Sequence, residues 1–578
     1  MLKVGFFAKI TVLKAIDMQE KLIQIARQFI NSTLDFEWTE AEKNLVDKVF
    51  TNADKRVFFI YNQLPANMIA VLMAIYSRMR NKRGLRGTFV DDFIPHILSG
   101  FIKECDEKFE GKPAKFLKER KLKKLDDFIN YSAETRKAYE TFLHNLGDEH
   151  YLANLSGAKK MKTFLSTWLD KYGHNSIARP AMLYFCLENV SLLAAKSIEW
   201  TRPGSGYIEL STRYVDMHGK DVYPAHLELK EFGLPEAEVS SLIDLSFKLY
   251  RDLQGEDYDG PLPSFFREKY KEIIPEDKLE QGVIGETCDV LGNLLPCSTF
   301  SSLGVGASGE ALPEIVRHLY LDNTPENQAI AELMIEEAAK VGADQFLRHL
   351  DISDWKKVDW EYLTEGAPIE QSWLPDPSAV EQVLYQALVQ KQSFAGAKNF
   401  TEVVARFKQI NKTSFDKLPR EFELINAVFN KVMSFRSWRD LHRMGFCMHR
   451  RGYVTPEIGC YNYDKPAPPQ LKEAFDKLYQ ANRELFSKMR ELNIPLELSQ
   501  YPLAIGNLIR FTMAGNLRQM EFCNWQRSKP SVNHEVRQIF LWTEKEIAKH
   551  LTWWSELSRA DTTPAYIFAR GDSDVPLT

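Results

Sequence analysis

The sequence predicts a helix-rich α+β protein built from two tandem units that form a pseudo-dimer. Apolar residues recur mostly at helical spacing, whereas the β-prone segments are short. Residues 291–295 read Leu-Gly-Asn-Leu-Leu, and residues 505–509 repeat them as Ile-Gly-Asn-Leu-Ile. Between these copies, residues 353–378 are rich in tryptophan, proline and glycine, which is typical of a linker.

These observations divide the chain into five segments. We expect an N-terminal helical extension over 1–55, a first unit over 56–352 with an insertion at 218–285, a linker over 353–378, a second unit over 379–560, and a loose tail over 561–578.

The elements follow in chain order. Residues 19–50 have helical spacing, and residues 57–61 form a short β-prone run. The apolar run 181–195 predicts a helix that ends before Pro203, Gly204 and Gly206. In the second half, the pattern predicts helices over 380–409 and 419–444.

The composition excludes several classes of protein. The 578 residues are 44% hydrophobic and 26% charged, as in folded proteins with large cores. A net charge of -5 gives no reason to expect a nucleic-acid partner. Seven scattered cysteines indicate free thiols in a reducing compartment. No apolar run is long enough for a membrane span and no signal peptide is evident, so we expect a cytoplasmic protein without a membrane partner.

The stretch after the glycine-rich break carries the first candidate site. Glu209, Ser211 and Arg213 are spaced by two, so an extended segment would place them on one face. Arginine and serine donors suit a phosphate, and a carboxylate suits a sugar hydroxyl on the same ligand. The alternative is a surface strand with an internal Glu–Arg ion pair.

The second half supplies a group of cationic residues. Arg518, Arg527 and Arg537 follow one another with apolar positions between them. A pseudo-dimer could bring Arg518 and Arg537 to Arg213 and assemble one anion site from both halves. The alternative is that these arginines form surface or interface ion pairs.

Other polar groups give weaker signals. His174 and Ser176 precede the predicted helix, where a histidine is more often a cap than a catalyst. The spacings among His442, Cys447, His449 and Cys460 match no standard zinc pattern, so we predict no metal site. No Walker-type loop, dinucleotide-binding glycine motif or cysteine nucleophile with a recognisable base is evident.

Taken together, these motifs resemble the flavin-dependent thymidylate synthases. That family's signature is Arg-His-Arg-x-x-Ser-x-Asn-Glu-x-Ser-x-Arg-Tyr, and residues 209–214 read Glu-Leu-Ser-Thr-Arg-Tyr. The C-terminal signature, Asn-x-Arg followed by Glu-x-Arg, is similar to Asn516-Leu517-Arg518 and Glu535-Val536-Arg537. The resemblance spans roughly 57–545 and implies two such units in one chain.

The resemblance implies a reaction and its substrate site. It implies reductive methylation of deoxyuridine monophosphate (dUMP) to dTMP. Glu209, Ser211 and Arg213 would bind the nucleotide, and Arg518 and Arg537 would reach it from the other unit. Arg213 and Arg518 would activate the pyrimidine electrostatically. Two chains would form a homodimer equivalent to the family's four-unit assembly.

The resemblance also implies FAD as cofactor, with NADPH and methylenetetrahydrofolate as cosubstrates. The residues that would contact the flavin are His174, Ser176, Arg202, His442, Arg443 and Asn516.

The family's Arg-His-Arg falls on Thr201-Arg202-Pro203, and its first Ser and Asn fall on Gly206 and Ile208. In the second unit, either His442-Arg443 or Arg443 alone matches the triplet. Two alternatives therefore stay open: a nucleotide-binding protein of the same fold without catalysis, and a flavoenzyme acting on another pyrimidine nucleotide.

Overall fold

The computed structural model describes most of the chain, and its two compact units are treated separately. The described residues are 18–61, 81–100, 102–146, 182–199, 205–212, 215, 217, 221–322, 324–341, 343–347, 350, 376–390, 394–410, 412, 416–442 and 444–564. Unit 1 comprises Met1–Ser211, Asp221–Glu231 and Ser298–Asp359; unit 2 comprises Thr212–Lys220, Phe232–Cys297 and Trp360–Thr578.

Unit 1 contains a four-stranded antiparallel sheet. Its strands are β1 (Val57–Phe59), β2 (Met182–Ser191), β3 (Gly206–Glu209) and β4 (Phe300–Ser308), in the order β1-β2-β4-β3. Central strand β2 is buried along most of its length.

Two helices of unit 1 position its candidate site. Helix α1 (Leu192–Glu199) follows β2 without a break, and helix α2 (Pro325–Lys340) starts with proline at its first position, where the missing N–H costs nothing. The other helices are 18–31, Glu40–Val49, Gly84–Thr88, Ile94–Ser99, Lys103–Phe109, Pro113–Glu119, Leu125–Ile129, Ala133–Leu146, His226–Leu229, Ala311–Leu321 and Asp344–Leu347, with a π-helical turn at Phe89–Phe93.

Unit 2 contains a three-stranded antiparallel sheet. Its strands are β5 (Asn426–Ser434), β6 (Met448–Arg451) and β7 (Leu508–Asn516), in the order β5-β7-β6.

Three helices of unit 2 matter below: α3 (Phe435–His442), α4 (Leu517–Arg527) and α5 (His534–His550). The others are Glu236–Gln254, Pro261–Tyr270, Glu276–Leu291, Pro377–Val389, Phe400–Lys408, Pro469–Glu491, Leu496–Ser499 and Trp554–Leu557. Short 3-10 turns lie at Lys230–Phe232, Gly292–Leu294 and Arg420–Leu424.

The helix-rich α+β class is confirmed, but two predicted helices are wrong. Residues 182–191 of the run 181–195 form strand β2, and only the following Leu192–Glu199 is helical. Residues 419–444 contain strand β5 before helix α3. Strand β2 is buried along most of its length and largely apolar, so periodicity alone does not separate it from a buried helix.

Part of the predicted insertion at 218–285 packs within unit 2. Helix Glu236–Gln254 packs against Pro469–Glu491 within unit 2, with Val239 and Tyr250 fully buried. The Lys488 Nζ lies 2.8 Å from the Glu238 Oε2. Phe232–Cys297 belong to unit 2, whereas Asp221–Glu231 belong to unit 1.

The repeated pentapeptide does not mark equivalent positions. Its first copy ends a helix and forms the turn Gly292–Leu294, whereas its second copy enters β7 at Leu508. The two copies contact each other inside unit 2: the Gly506 amide donates to the Asn293 carbonyl at 2.9 Å, and the Ile505 amide to the Leu295 carbonyl at 2.8 Å.

All seven cysteines are free thiols, as the sequence predicts. Among the described residues, no helix combines the length and apolar character that a membrane crossing needs.

Candidate functional site

Glu209, the last residue of β3, lies in a buried polar cluster of unit 1. Its carboxylate Oε2 is 2.8 Å from the Lys196 Nζ, and its Oε1 accepts a hydrogen bond from the Ser301 Oγ at 3.3 Å. The same Lys196 ammonium also contacts the Glu199 carboxylate within α1. Strand and helix are thus joined by one cation and two carboxylates.

The extended segment continues briefly beyond β3. The Leu210 amide donates to the Ser302 carbonyl at 2.8 Å, so sheet pairing reaches one residue past Glu209. Ser211 follows and is half-buried. Arg213 lies outside the described residues, and its place on the same face stays a prediction.

A serine–glutamate pair anchors the β2–α1 junction, and the sequence analysis did not identify it. The Ser191 amide and Oγ donate to the two carboxylate oxygens of Glu326 at 2.9 and 2.6 Å. The Ser191 Oγ also accepts from the Ala194 amide at 3.0 Å and so caps α1. A serine between an apolar strand and a helix is the only sequence signal for this cap.

Unit 2 contains the same arrangement at the β5–α3 junction. The Ser434 amide and Oγ donate to the two oxygens of Glu535 at 2.7 and 2.5 Å. The Ser437 amide donates to the Ser434 Oγ at 3.1 Å. Glu535, which belongs to the Glu-x-Arg motif of the family resemblance, therefore holds the serine that caps α3.

The sheet registers relate the two sites residue by residue. Ser191 pairs with Phe300 and Glu209 with Leu303, three residues along β4. In unit 2, Ser434 pairs with Leu508 and Arg451 with Phe511, again three residues along β7. Arg451 therefore occupies the position of Glu209.

The same counting from each serine places Arg439 and His442 where α1 has Lys196 and Glu199. The resulting cluster at α3 and β6 is cationic and aromatic. The His442 ring stacks on Trp438 with centroids 4.4 Å apart, and the Arg451 guanidinium lies 5.0 Å from the Phe435 ring centroid. Burial and the nearby His442 hold the pKa of His449 well below its usual range, so that ring is neutral at pH 7.

The two predicted arginines of unit 2 make internal contacts. The Arg518 Nη1 donates to the Glu423 carboxylate at 2.8 Å and its Nε to the Leu418 carbonyl at 2.5 Å. The Arg537 guanidinium is buried and donates to the carbonyls of Ser528 and Thr563 at 2.7 Å each. Arg537 thus ties residue 563 of the predicted loose tail to α5, and any contact of these arginines with a nucleotide stays a prediction.

The structure describes two of the residues predicted to contact the flavin. His442 is 4% exposed with one ring face covered by Trp438, and the Asn516 Oδ1 accepts from the Gln519 amide at 2.9 Å as the N-cap of α4. His442 thus lies in the interior of unit 2 and Asn516 caps a helix, and contact of either side chain with a flavin stays a prediction. His174, Ser176, Arg202 and Arg443 lie outside the described residues.

The cap role of Asn516 leads to a stability prediction. Asn516→Ala should lower the free energy of unfolding of unit 2 by about 1 kcal/mol, because α4 loses its N-cap. Urea denaturation followed by tryptophan fluorescence measures this change, and Asn516→Asp, which keeps an acceptor, should retain most of the stability. An alanine variant as stable as the parent would contradict the cap role.

Comparison with known proteins confirms the family resemblance. Residues 126–342 match the family model described as thymidylate synthase complementing protein. A UPF0159 protein of Thermoplasma acidophilum is 22% identical over 440 residues, covering 67% of this chain and 86% of that protein. A UPF0159 protein of Chlamydia pneumoniae is 23% identical over 559 residues, covering 89% and 93%.

Among solved structures, a UMP/dUMP methylase PolB from Streptomyces cacaoi bound with 5-Br dUMP is 15% identical and covers 32% of this chain and 93% of its own. Its complex with 5-Br UMP is 13% identical and covers 33% and 95%. Both have a TM-score of 0.26, which does not establish a common fold.

Proposed function

Because residues 126–342 match the family of thymidylate synthase complementing proteins, we propose that this chain is a nucleotide methyltransferase-like enzyme that converts dUMP to dTMP. One observation carries the proposal: the matched range contains Glu209, Ser211 and Arg213, and Glu209 is the buried carboxylate at the end of β3. A fixed carboxylate can accept from a sugar hydroxyl without paying the cost of ordering its side chain on binding.

We further propose that the two units are tandem copies of one fold. Both have a strand that ends in a serine, a helix capped by that serine, and a later helix whose glutamate binds it. In both sheets the strand that follows this helix pairs with the last strand of the unit. A homodimer of this chain would then hold four such copies, and light scattering measures that state.

The proposal includes the cofactor and the cosubstrates that the family resemblance implies. FAD would supply hydride chemistry when bound, NADPH would reduce it, and methylenetetrahydrofolate would supply the carbon. The residues that would hold FAD are His174, Ser176 and Arg202 in the matched range, with His442, Arg443 and Asn516 in the second half of the chain. A purified chain that carries FAD should absorb near ~450 nm.

A direct assay separates this function from its alternatives. Purified chain with FAD, NADPH, labelled methylenetetrahydrofolate and dUMP should form labelled dTMP, and the chain should complement a thymidine-requiring strain. Binding of dUMP without flavin or turnover would instead support a nucleotide-binding protein, an alternative favoured by Thr201 and Pro203 standing where the family has arginines. Turnover of another pyrimidine nucleotide alone would support the related flavoenzyme.

The proposed composite site predicts shared contacts. Arg213→Ala and Arg518→Ala should each weaken dUMP binding by about 1.5–3 kcal/mol, the scale of a lost charged hydrogen bond. Isothermal titration calorimetry measures the dUMP affinity of each variant. If one phosphate binds both arginines, the double variant should lose less binding free energy than the sum of the two single losses.

Arg420→Ala is the matched control, because Arg420 also pairs with Glu423, at 3.3 Å, but belongs to no predicted site. Fully additive losses for Arg213 and Arg518 would argue for separate roles.

A further inference from the structure

Lys196 is a fully buried lysine whose ammonium forms an ion pair with Glu209, a residue of the proposed substrate site. Its side chain has no exposed surface, and its Nζ is 2.8 Å from the Glu209 Oε2. Glu199, one helical turn further along α1, contacts the same ammonium. A lysine is rarely buried unless it is paired, so these contacts fix its position.

The contacts also restrict Glu209. One carboxylate oxygen meets the Lys196 ammonium, and the other accepts from the Ser301 Oγ on β4. A carboxylate held from two elements has little freedom to change rotamer. The position of Glu209 is thus set by α1 and β4 as well as by its own strand.

The corresponding junction of unit 2 carries different side chains. At the positions of Lys196, Glu199 and Glu209 it carries Arg439, His442 and Arg451, around the same serine-capped junction. The cation of the helix is kept, whereas both carboxylates are replaced by nitrogen-bearing side chains. Among these two junctions, the Lys–Glu–Glu cluster is therefore specific to unit 1.

We propose that Lys196 is a positioning residue that presents Glu209 as a preformed acceptor for a hydroxyl of a pyrimidine nucleoside monophosphate. This inference rests on the proposed function and adds to it a residue outside the family motif. Because unit 2 has Arg451 in place of Glu209, the acceptor is present once in each chain, and one nucleotide should bind per chain.

Calorimetry with dUMP tests the inference in the full-length chain. Lys196→Met should weaken binding about tenfold, the scale of one charged hydrogen bond, and Lys196→Arg should restore it to within about threefold. In the Glu209→Gln background, Lys196→Met should add less than about twofold, because Lys196 acts through Glu209. The stoichiometry should be one nucleotide per chain.

Arg86→Met is the matched control. Arg86 is also fully buried in unit 1 and its Nη2 lies 3.0 Å from the Glu188 Oε2, but Glu188 belongs to no predicted site. This variant should lose stability and keep the affinity for dUMP. If Lys196→Met does not fold, Lys196→Gln replaces it, since its amide can still donate to Glu209, and an intermediate loss is expected.

The outcomes separate the inference from its premise. If the parent chain binds dUMP and the Lys196 variants bind equally well, or their losses add fully to that of Glu209→Gln, the inference is overturned and the proposed function stands. Two nucleotides per chain would also overturn it. If the parent chain binds no dUMP, the proposed function fails and the inference fails with it.

Discussion

Glu326→Ala should destabilise unit 1 by about 3–5 kcal/mol. Glu326 is completely buried and accepts from both the amide and the hydroxyl of Ser191. Its removal leaves two donors at the start of α1 without these acceptors in the protein interior. Chemical denaturation followed by circular dichroism measures the loss.

Glu535→Ala in unit 2 provides the matched comparison. It removes the same two contacts from Ser434, but Glu535 is only half-buried, so water can replace part of what is lost. We therefore expect a smaller loss, of about 1–3 kcal/mol. Equal losses, or a larger loss for Glu535→Ala, would contradict the role of burial, and two neutral substitutions would remove the serine–glutamate pair as support for a duplicated fold.

Glu228→Gln should change the pH dependence of the stability of unit 1. Glu228 is fully buried, and this burial raises the pKa of its carboxyl to about 8. The Tyr223 hydroxyl, which donates to the carboxylate, lowers the pKa, whereas the charge of Glu326 raises it. The folded chain thus keeps a proton that the unfolded chain releases near its ordinary pKa of 4.5.

The sign follows from the protons bound in each state. Between about pH 4.5 and 8 the native state binds more protons, so the free energy of unfolding contributed by Glu228 falls as the pH rises. It is fully present below pH 4.5 and lost by pH 8, a change on the order of 3–5 kcal/mol. The variant, which has no carboxyl at this position, should lack this slope.

The difference in free energy of unfolding between the parent and Glu228→Gln should be constant below pH 4.5. Between pH 4.5 and 8 it should shift in favour of the variant, and above pH 8 it should again be constant. The constant difference at low pH gives the free-energy cost of burying the Gln amide in place of the protonated carboxyl. The pH-dependent part comes from ionisation of Glu228 in the parent. Tyr223→Phe, which removes the donor to the carboxylate, should move the end of the slope to higher pH. A difference that does not vary with pH would show that Glu228 is ionised in the folded chain.

The sequence by itself determined the fold class, the helices within 19–50, strand β1 and the family to which residues 126–342 are similar. These features depend on local spacing and on short motifs, which are written in contiguous residues. It also placed Glu209, Ser211 and Arg213 in one segment, and the structure gives Glu209 an extended backbone at the end of β3.

Only the tertiary structure decided which apolar runs are strands and which polar residues meet. Strands β2 and β5 were predicted as helices, because β2 is buried along most of its length without clear alternation and each strand runs directly into a helix. Ser191 donates a hydrogen bond to Glu326, which lies 135 residues further along the chain. Lys196 on α1 forms an ion pair with Glu209 on β3. Such pairs depend on sheet register and helix packing, which bring distant residues together, so no local pattern in the sequence contains them.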